Sequence, residues 1–279
     1  MTILVTGATG TVGRHVVNHL VRAGQPVRVL TRDPGRARTG QPLPDAVEIV
    51  AGDLTAPESL DAALTGVTAM HLIAIGGDGY TPLKTAEAVL AHARTSAGVR
   101  RVTVLTGTED ELAVADAVAA SGLEWTHVRP GEFMANKLQW AESIRTEGVV
   151  RAPFGSQPHA LVDEADVAAV IASALLEPGH SGKTYVPTGP DNITPVEATK
   201  HIAEQTGRQI EFIELTSQQM RQQMRDAGFG DDVIDAVIGY GEHPPGSAHT
   251  VLPTVEDITG RPARTFPEWV AAHADAFRH

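Results

Sequence analysis

Ile3-Leu-Val-Thr-Gly-Ala-Thr-Gly-Thr-Val-Gly-Arg-His-Val-Val-Asn-His-Leu20 decides how this chain folds. The apolar run Ile3-Leu4-Val5 ends in Gly7, Gly10 and Gly13. A helical pattern follows, with Val12, Val16, Val17 and Leu20 on one side. Strand, glycine turn and helix together can hold a pyrophosphate. One glycine bends the turn, one lets phosphate approach the backbone, and one lets the helix pack on the strand. The helix start then offers N–H groups and a partial positive charge. Gly7, Thr9, Gly10, Thr11, Val12 and Gly13 are the residues expected to hold the diphosphate.

Outward from this stretch, apolar runs alternate with helical patterns. Strands are expected at 2–6, 27–31, 47–50, 69–75, 102–106 and 125–128, and helices at 12–23, 57–64, 83–97, 109–121 and 167–176. The strands are continuous and rich in Val and Ile, as in a parallel sheet covered on both faces. The expected fold is therefore α/β, a Rossmann-like doubly wound parallel sheet with a small C-terminal α/β cap. Gly24, Gly66, Gly98 and Gly122 sit where helices need a left-handed stop. Thr55-Ala-Pro-Glu58 has the spacing of a capping box.

After Pro130 the rhythm is more interrupted. Helices are expected at 133–146, 195–206, 217–227, 231–239 and 266–277, and strands at 184–186 and 209–214. Residues 1–130 read as the dinucleotide-binding core. Residues 131–279 read as mostly cap, with about 148–190 returning to the core and 241–253 as a flexible loop.

Composition narrows the function classes. The 279 residues are 42% hydrophobic and 20% charged, with a net charge of −12 and no cysteine. Disulfides, thiolate metal sites and cysteine nucleophiles are excluded. The acidic balance argues against a nucleic-acid partner. No apolar run approaches a membrane span, and no leader is visible before the first strand, so a cytoplasmic protein with a small-molecule substrate is expected. His15 and His19 are four apart on a helix, but Val16 stands where a zincin needs glutamate. Both are read as solvated, and no metal site is expected.

The G-x-x-G-x-x-G spacing is that of short-chain dehydrogenases and their relatives. With Gly52-Asp53-Leu54, the run 120–136 (Ala-Ser-Gly-Leu-Glu-Trp-Thr-His-Val-Arg-Pro-Gly-Glu-Phe-Met-Ala-Asn), the run 162–170, the run 177–185 and Thr188-Gly-Pro190, the chain resembles the NmrA-like branch of atypical short-chain dehydrogenases. The resemblance covers residues 2 to about 200. It implies an NAD(P)-binding fold whose members include quinone and dye reductases and non-catalytic cofactor sensors. It also implies that Asp53 accepts the adenine amino group, that Leu54 flanks the ring, and that Ile75, Pro130 and Gly131 adjoin the coenzyme.

The second strand ends in Leu30-Thr31-Arg32-Asp33. The residue just past this strand meets the adenosine ribose. An arginine there pairs with a 2′-phosphate, so Arg32, helped by Arg36 and Arg38, favours NADP over NAD. Asp33 argues the other way.

Carbonyl reduction by short-chain dehydrogenases uses a tyrosine and a lysine four residues on. Tyr80-Thr-Pro-Leu-Lys84 has that spacing but follows the fourth strand instead of the fifth, and Pro82 interrupts it. Thr106 takes the place of the usual strand-end serine. A missing strong acid suits hydride transfer to a quinone or a cationic dye, which demands little protonation by the enzyme, with proximity as the lever. It suits a non-catalytic NADP(H) sensor equally, and disfavours a sugar-nucleotide epimerase. Asn136 and Thr106 are the candidate catalytic groups. Phe133, Met134, Asn136 and Trp140 are the expected substrate pocket, with His159 a weaker candidate.

Overall fold

The computed structural model describes residues 2–39, 43–77 and 81–278. Seven strands form one sheet in the order Lys183–Tyr185, Glu124–Val128, Arg101–Leu105, Val67–Ile73, Thr2–Val5, Val27–Thr31, Glu48–Ala51. Every neighbouring pair is parallel. Thr2–Val5 has the second strand on one side and Val67–Ile73 on the other. The strand order therefore reverses there, which is where open α/β sheets bind ligands.

The chain divides into two compact units. The first comprises residues 1–130, 164–187 and 254–261; the second comprises 131–163, 188–253 and 262–279. The stretch rejoining the first unit is thus shorter than 148–190. Val149–Ala152 instead pairs in parallel with Glu211–Glu214 in the second unit. The short helix Thr254–Thr259 also belongs to the first unit.

In the first unit, Met70, Leu72, Val102 and Val104 pack one sheet face against Val89, Leu90, Ala93, Val114 and Val118. Helix Gly13–Arg22 packs on Glu164–Leu176. Gly24, Gly66, Gly98 and Gly122 all have φ between 70° and 75°, as helix stops require. His19 is only partly solvated. It lies half-buried, bonded to the Ala165 backbone, and desolvation pushes its pKa down. His15 is half-buried too. Among the described residues no three metal-ligating side chains converge, and no helix is long and apolar enough to cross a membrane.

The capping box at Thr55 does not form. Ala56 takes the N-cap position with no side-chain bond. Thr55 donates instead, through its N–H and its hydroxyl, to Asp53 Oδ1 at 2.8 Å each. An Asx turn wins because the aspartate sits only two residues away.

In the second unit, Met134, Trp140, Ile144, Val150, Leu161, Ile202, Phe266, Trp269 and Phe277 form one apolar cluster. Helix Pro195–Thr206 opens with a full capping box between Thr194 and Glu197. Residues 241–253 are tied down rather than loose. Ala160 N–H donates to Ala248 O at 2.9 Å, and Leu252 N–H donates to Thr188 Oγ1 at 2.9 Å.

Candidate functional site

A cavity of about 600 Å³ opens at the C-terminal ends of four strands of the first unit. This is within the range of small-ligand sites. Thr6, Gly7 and Thr9 form its floor after the first strand. Leu30 and Thr31 end the second strand and Arg32, Asp33 and Arg36 follow it; Gly52, Asp53 and Leu54 follow the third; Ile73 ends the fourth, with Ile75, Gly76 and Gly77 beyond it. Arg14 also reaches the wall.

The floor is pinned from beneath. Thr6 Oγ1 donates to His71 O at 3.0 Å and accepts from Ile73 N–H at 2.9 Å, tying the first strand's end to the fourth's. Gly7 has φ 62°, and a Cβ added there would meet Ile73 Cγ2 at 2.5 Å. A Cβ on Gly13 would run into the Gly7 carbonyl. Both glycines are therefore imposed by the close approach of loop, strand and helix. Gly10 N–H closes the turn on Gly7 O at 2.9 Å. Arg14 folds back to donate to Thr9 O at 2.7 Å and to Gly10 O at 3.3 Å. Helix Gly13–Arg22 has no side-chain cap and no acid in its first turn. Its positive end is therefore not neutralised by a side-chain cap or an acid of its own first turn. Thr9, Gly10 and Thr11 are exposed, whereas Val12 and Gly13 are buried.

The charged wall has a definite arrangement. Arg32 is exposed, and its Nη1 donates to Gly77 O at 3.1 Å. The Thr55 N–H and hydroxyl hold the Asp53 carboxyl below its usual range against desolvation, and Arg32 adds to the effect. Asp53 N–H donates to Ser59 Oγ at 2.9 Å, which fixes the turn. Asp33 Oδ1 accepts from Arg36 N–H at 3.0 Å, at the start of helix Pro34–Thr39. The expected diphosphate and adenosine residues Gly7, Thr9, Arg32, Asp53, Leu54 and Ile75 therefore share one cavity. Arg14, Ile73, Gly76 and Gly77 join them without having been singled out, and Gly52 joins them from the motif Gly52-Asp53-Leu54. Arg14, directly after the third glycine, is the one that sequence could have signalled.

These residues fit a dinucleotide. The glycine cradle is one that a Cβ would fill, the helix end above it is uncapped, and two arginines stand on the wall where the adenosine ribose is read.

The remaining expected residues are placed differently. Thr106 is only 1% exposed. Its Oγ1 pairs with His127 Nε2 at 2.6 Å, and desolvation depresses the His127 pKa. As packed, Thr106 offers no hydroxyl to a reactant and serves to hold His127. Pro130 and Gly131 are half-buried after the strand Glu124–Val128. In the second unit Phe133 is half-buried and Asn136 exposed. Met134 and Trp140, expected on a pocket wall, belong to the apolar cluster of their own unit. His159 Nδ1 lies 3.3 Å from Glu132 Oε2, and its ring stacks on Tyr240 at 6.1 Å. Of the rejected pair, Tyr80 lies outside the described residues. Lys84 is exposed, and Thr81–Pro82 pairs as a short strand with Ile75–Gly76.

Comparison with known proteins shows the family. A family model for NAD(P)H-binding proteins matches residues 7–178, and one for the NmrA-like family matches residues 109–250. The chain is 40% identical to a (4-alkanoyl-5-oxo-2,5-dihydrofuran-3-yl)methyl phosphate reductase of Streptomyces griseus, covering 99% of each. It is 36% identical to an NAD(P)H azoreductase of Xenophilus azovorans, again covering 99% of each. Its fold matches an Escherichia coli NADPH-dependent quinone oxidoreductase solved with NADPH, with a TM-score of 0.80 and 24% identity over 97% of this chain and 99% of that one.

Proposed function

The chain belongs to the NAD(P)H-binding, NmrA-like family and is a reductase of that family; we propose that it uses NADPH to reduce small, flat, electron-poor acceptors such as quinones. NADPH, when bound, supplies the hydride; the protein's contribution is to bind and orient. The backbone of Gly7–Gly13 and the uncapped start of helix Gly13–Arg22 hold the diphosphate. Asp53 and Leu54 hold the adenine end.

The observation that carries the preference for NADPH is the state of the ribose wall. Arg32 and Arg36 line it, while Asp33 between them has its Oδ1 turned to the Arg36 backbone. A guanidinium pairs with a 2′-phosphate through two parallel bonds, which an NAD ribose cannot return.

The acceptor class rests on chemistry. Two relatives above 30% identity reduce, by their names, an azo compound and a furanone bearing an alkanoyl group. Like a quinone, both are π-systems conjugated to electronegative atoms. Charge arriving on such an acceptor is delocalised, so no strong enzyme acid is needed. Asn136, exposed and amide-bearing, is the group we assign to hydrogen-bond an acceptor oxygen.

The test is a panel of quinones, azo dyes and butenolides with NADPH or NADH, followed at the nicotinamide absorbance. NADPH consumption above background with at least one class supports the proposal. Tight NADPH binding without consumption by any class would favour a sensor instead. If Arg32→Glu leaves NADPH affinity unchanged, the 2′-phosphate assignment fails.

A further inference from the structure

Asp33 stands one residue past Arg32, in the stretch from which an acidic side chain accepts the ribose 2′-hydroxyl of NAD. In this chain it is built into the backbone around it. Its Oδ1 accepts from Arg36 N–H at 3.0 Å. Its carbonyl accepts from Ala37 N–H at 3.2 Å. Its own N–H donates to Thr31 Oγ1 at 3.2 Å. Pro34 follows as the first residue of helix Pro34–Thr39. This is an N-cap in full: side-chain oxygen to the third helical N–H, with proline at the first position. The short helix is held at its other side by Ala37, which is buried. Six residues that begin Pro-Gly and continue with two arginines, an alanine and a threonine are too few to form a helix unaided. The cap therefore contributes a large share of what keeps this turn formed.

The turn carries Arg36 onto the cavity wall beside Arg32. We infer that Asp33 is a specificity-determining positioning residue: by capping helix Pro34–Thr39 it holds Arg36 at the ribose wall and withdraws its own carboxylate from the 2′-hydroxyl, so an acid in the NAD-selecting stretch supports selection of the 2′-phosphate. This rests on the coenzyme reading above. It adds that the acid acts through Arg36 and not by direct contact. An acid this close to a phosphate would otherwise repel it. Turning Oδ1 to a backbone N–H spends part of that charge locally.

Calorimetric binding of NADPH, NADH and 2′,5′-ADP to the full chain tests it, in unaltered protein, Asp33→Asn and Asp33→Ala. Asparagine caps as well as aspartate. Asp33→Asn should therefore keep or raise the NADPH-over-NADH affinity ratio. Asp33→Ala loses the cap, and the ratio and the 2′,5′-ADP affinity should fall about fivefold with NADH affinity held within about twofold. Three results would overturn the inference: an unchanged or increased ratio in Asp33→Ala, a fall in Asp33→Asn as large as in Asp33→Ala, or equal loss of NADPH and NADH in Asp33→Ala. Failure of the coenzyme reading itself shows separately, as no binding of either dinucleotide to the unaltered protein.

Discussion

His71 should make this protein lose stability in mild acid, by an amount that one substitution removes. It stands in the middle of strand Val67–Ile73, fully buried, with Nδ1 2.9 Å from Thr103 Oγ1 and no partner for Nε2. Burial lowers its pKa from 6.5 to about 4. The folded state thus holds it neutral, while the unfolded chain takes up a proton near 6.5. Its penalty is absent above that pH and grows as pH falls from 6.5 toward 4. A gap of about 2.5 pH units at about 1.4 kcal/mol each is about 3 kcal/mol, of which about 2 kcal/mol is lost by pH 4.5. His19, His127, His159 and His180 are also depressed by desolvation and pull the same way. The comparison must therefore be with a variant that keeps them. His71→Gln does not titrate and still offers Thr103 a polar partner. Urea unfolding from pH 7 to pH 4.5, followed by tryptophan fluorescence, should show the wild-type falling about 2 kcal/mol further than the variant. Parallel curves would refute the reasoning and mean that the imidazole is protonated in place or reached by solvent.

Other perturbations have equally definite outcomes. Gly13→Ala drives a methyl into the Gly7 carbonyl, so calorimetric NADPH affinity should drop by more than about tenfold with a lower melting temperature. Glu132→Gln strips the partner 2.7 Å from a Lys137 ammonium whose side chain is only 9% exposed. It should cost about 3 kcal/mol in chemical denaturation, and adding Lys137→Met should restore much of the loss. Asn136→Ala should lower kcat for a quinone by about tenfold or more while leaving the NADPH dissociation constant unchanged.

The first half of the fold was legible because its signals are local. Parallel strands buried on both faces are unbroken apolar runs, and Gly24, Gly66, Gly98 and Gly122 mark the helix ends with left-handed backbone. Helix Pro34–Thr39 carries no apolar period and is held by one aspartate cap, so its pattern reads as loop. Strand Val149–Ala152 pairs with Glu211–Glu214 some sixty residues on, and nothing within four residues announces so distant a partner. At Thr55 two local motifs competed for one backbone N–H, and the nearer carboxylate, Asp53, took it in place of Glu58. The same division runs through the site. Gly7, Arg32, Asp53 and Leu54 stand just beyond strand ends, where position in the chain dictates position in space. Met134, Trp140 and Thr106 depend on what packs over them. An apolar or hydroxyl side chain looks alike in sequence whether it faces a ligand or a neighbour. Only the packed structure shows that Met134 and Trp140 are spent on the cluster with Ile144, Phe266 and Trp269, and that the Thr106 hydroxyl is spent on His127. The reactive end of such a site is therefore the part that sequence reads worst: its residues are chosen by contacts from afar, whereas the glycine turn we propose for the diphosphate is seven consecutive residues, Gly7 to Gly13.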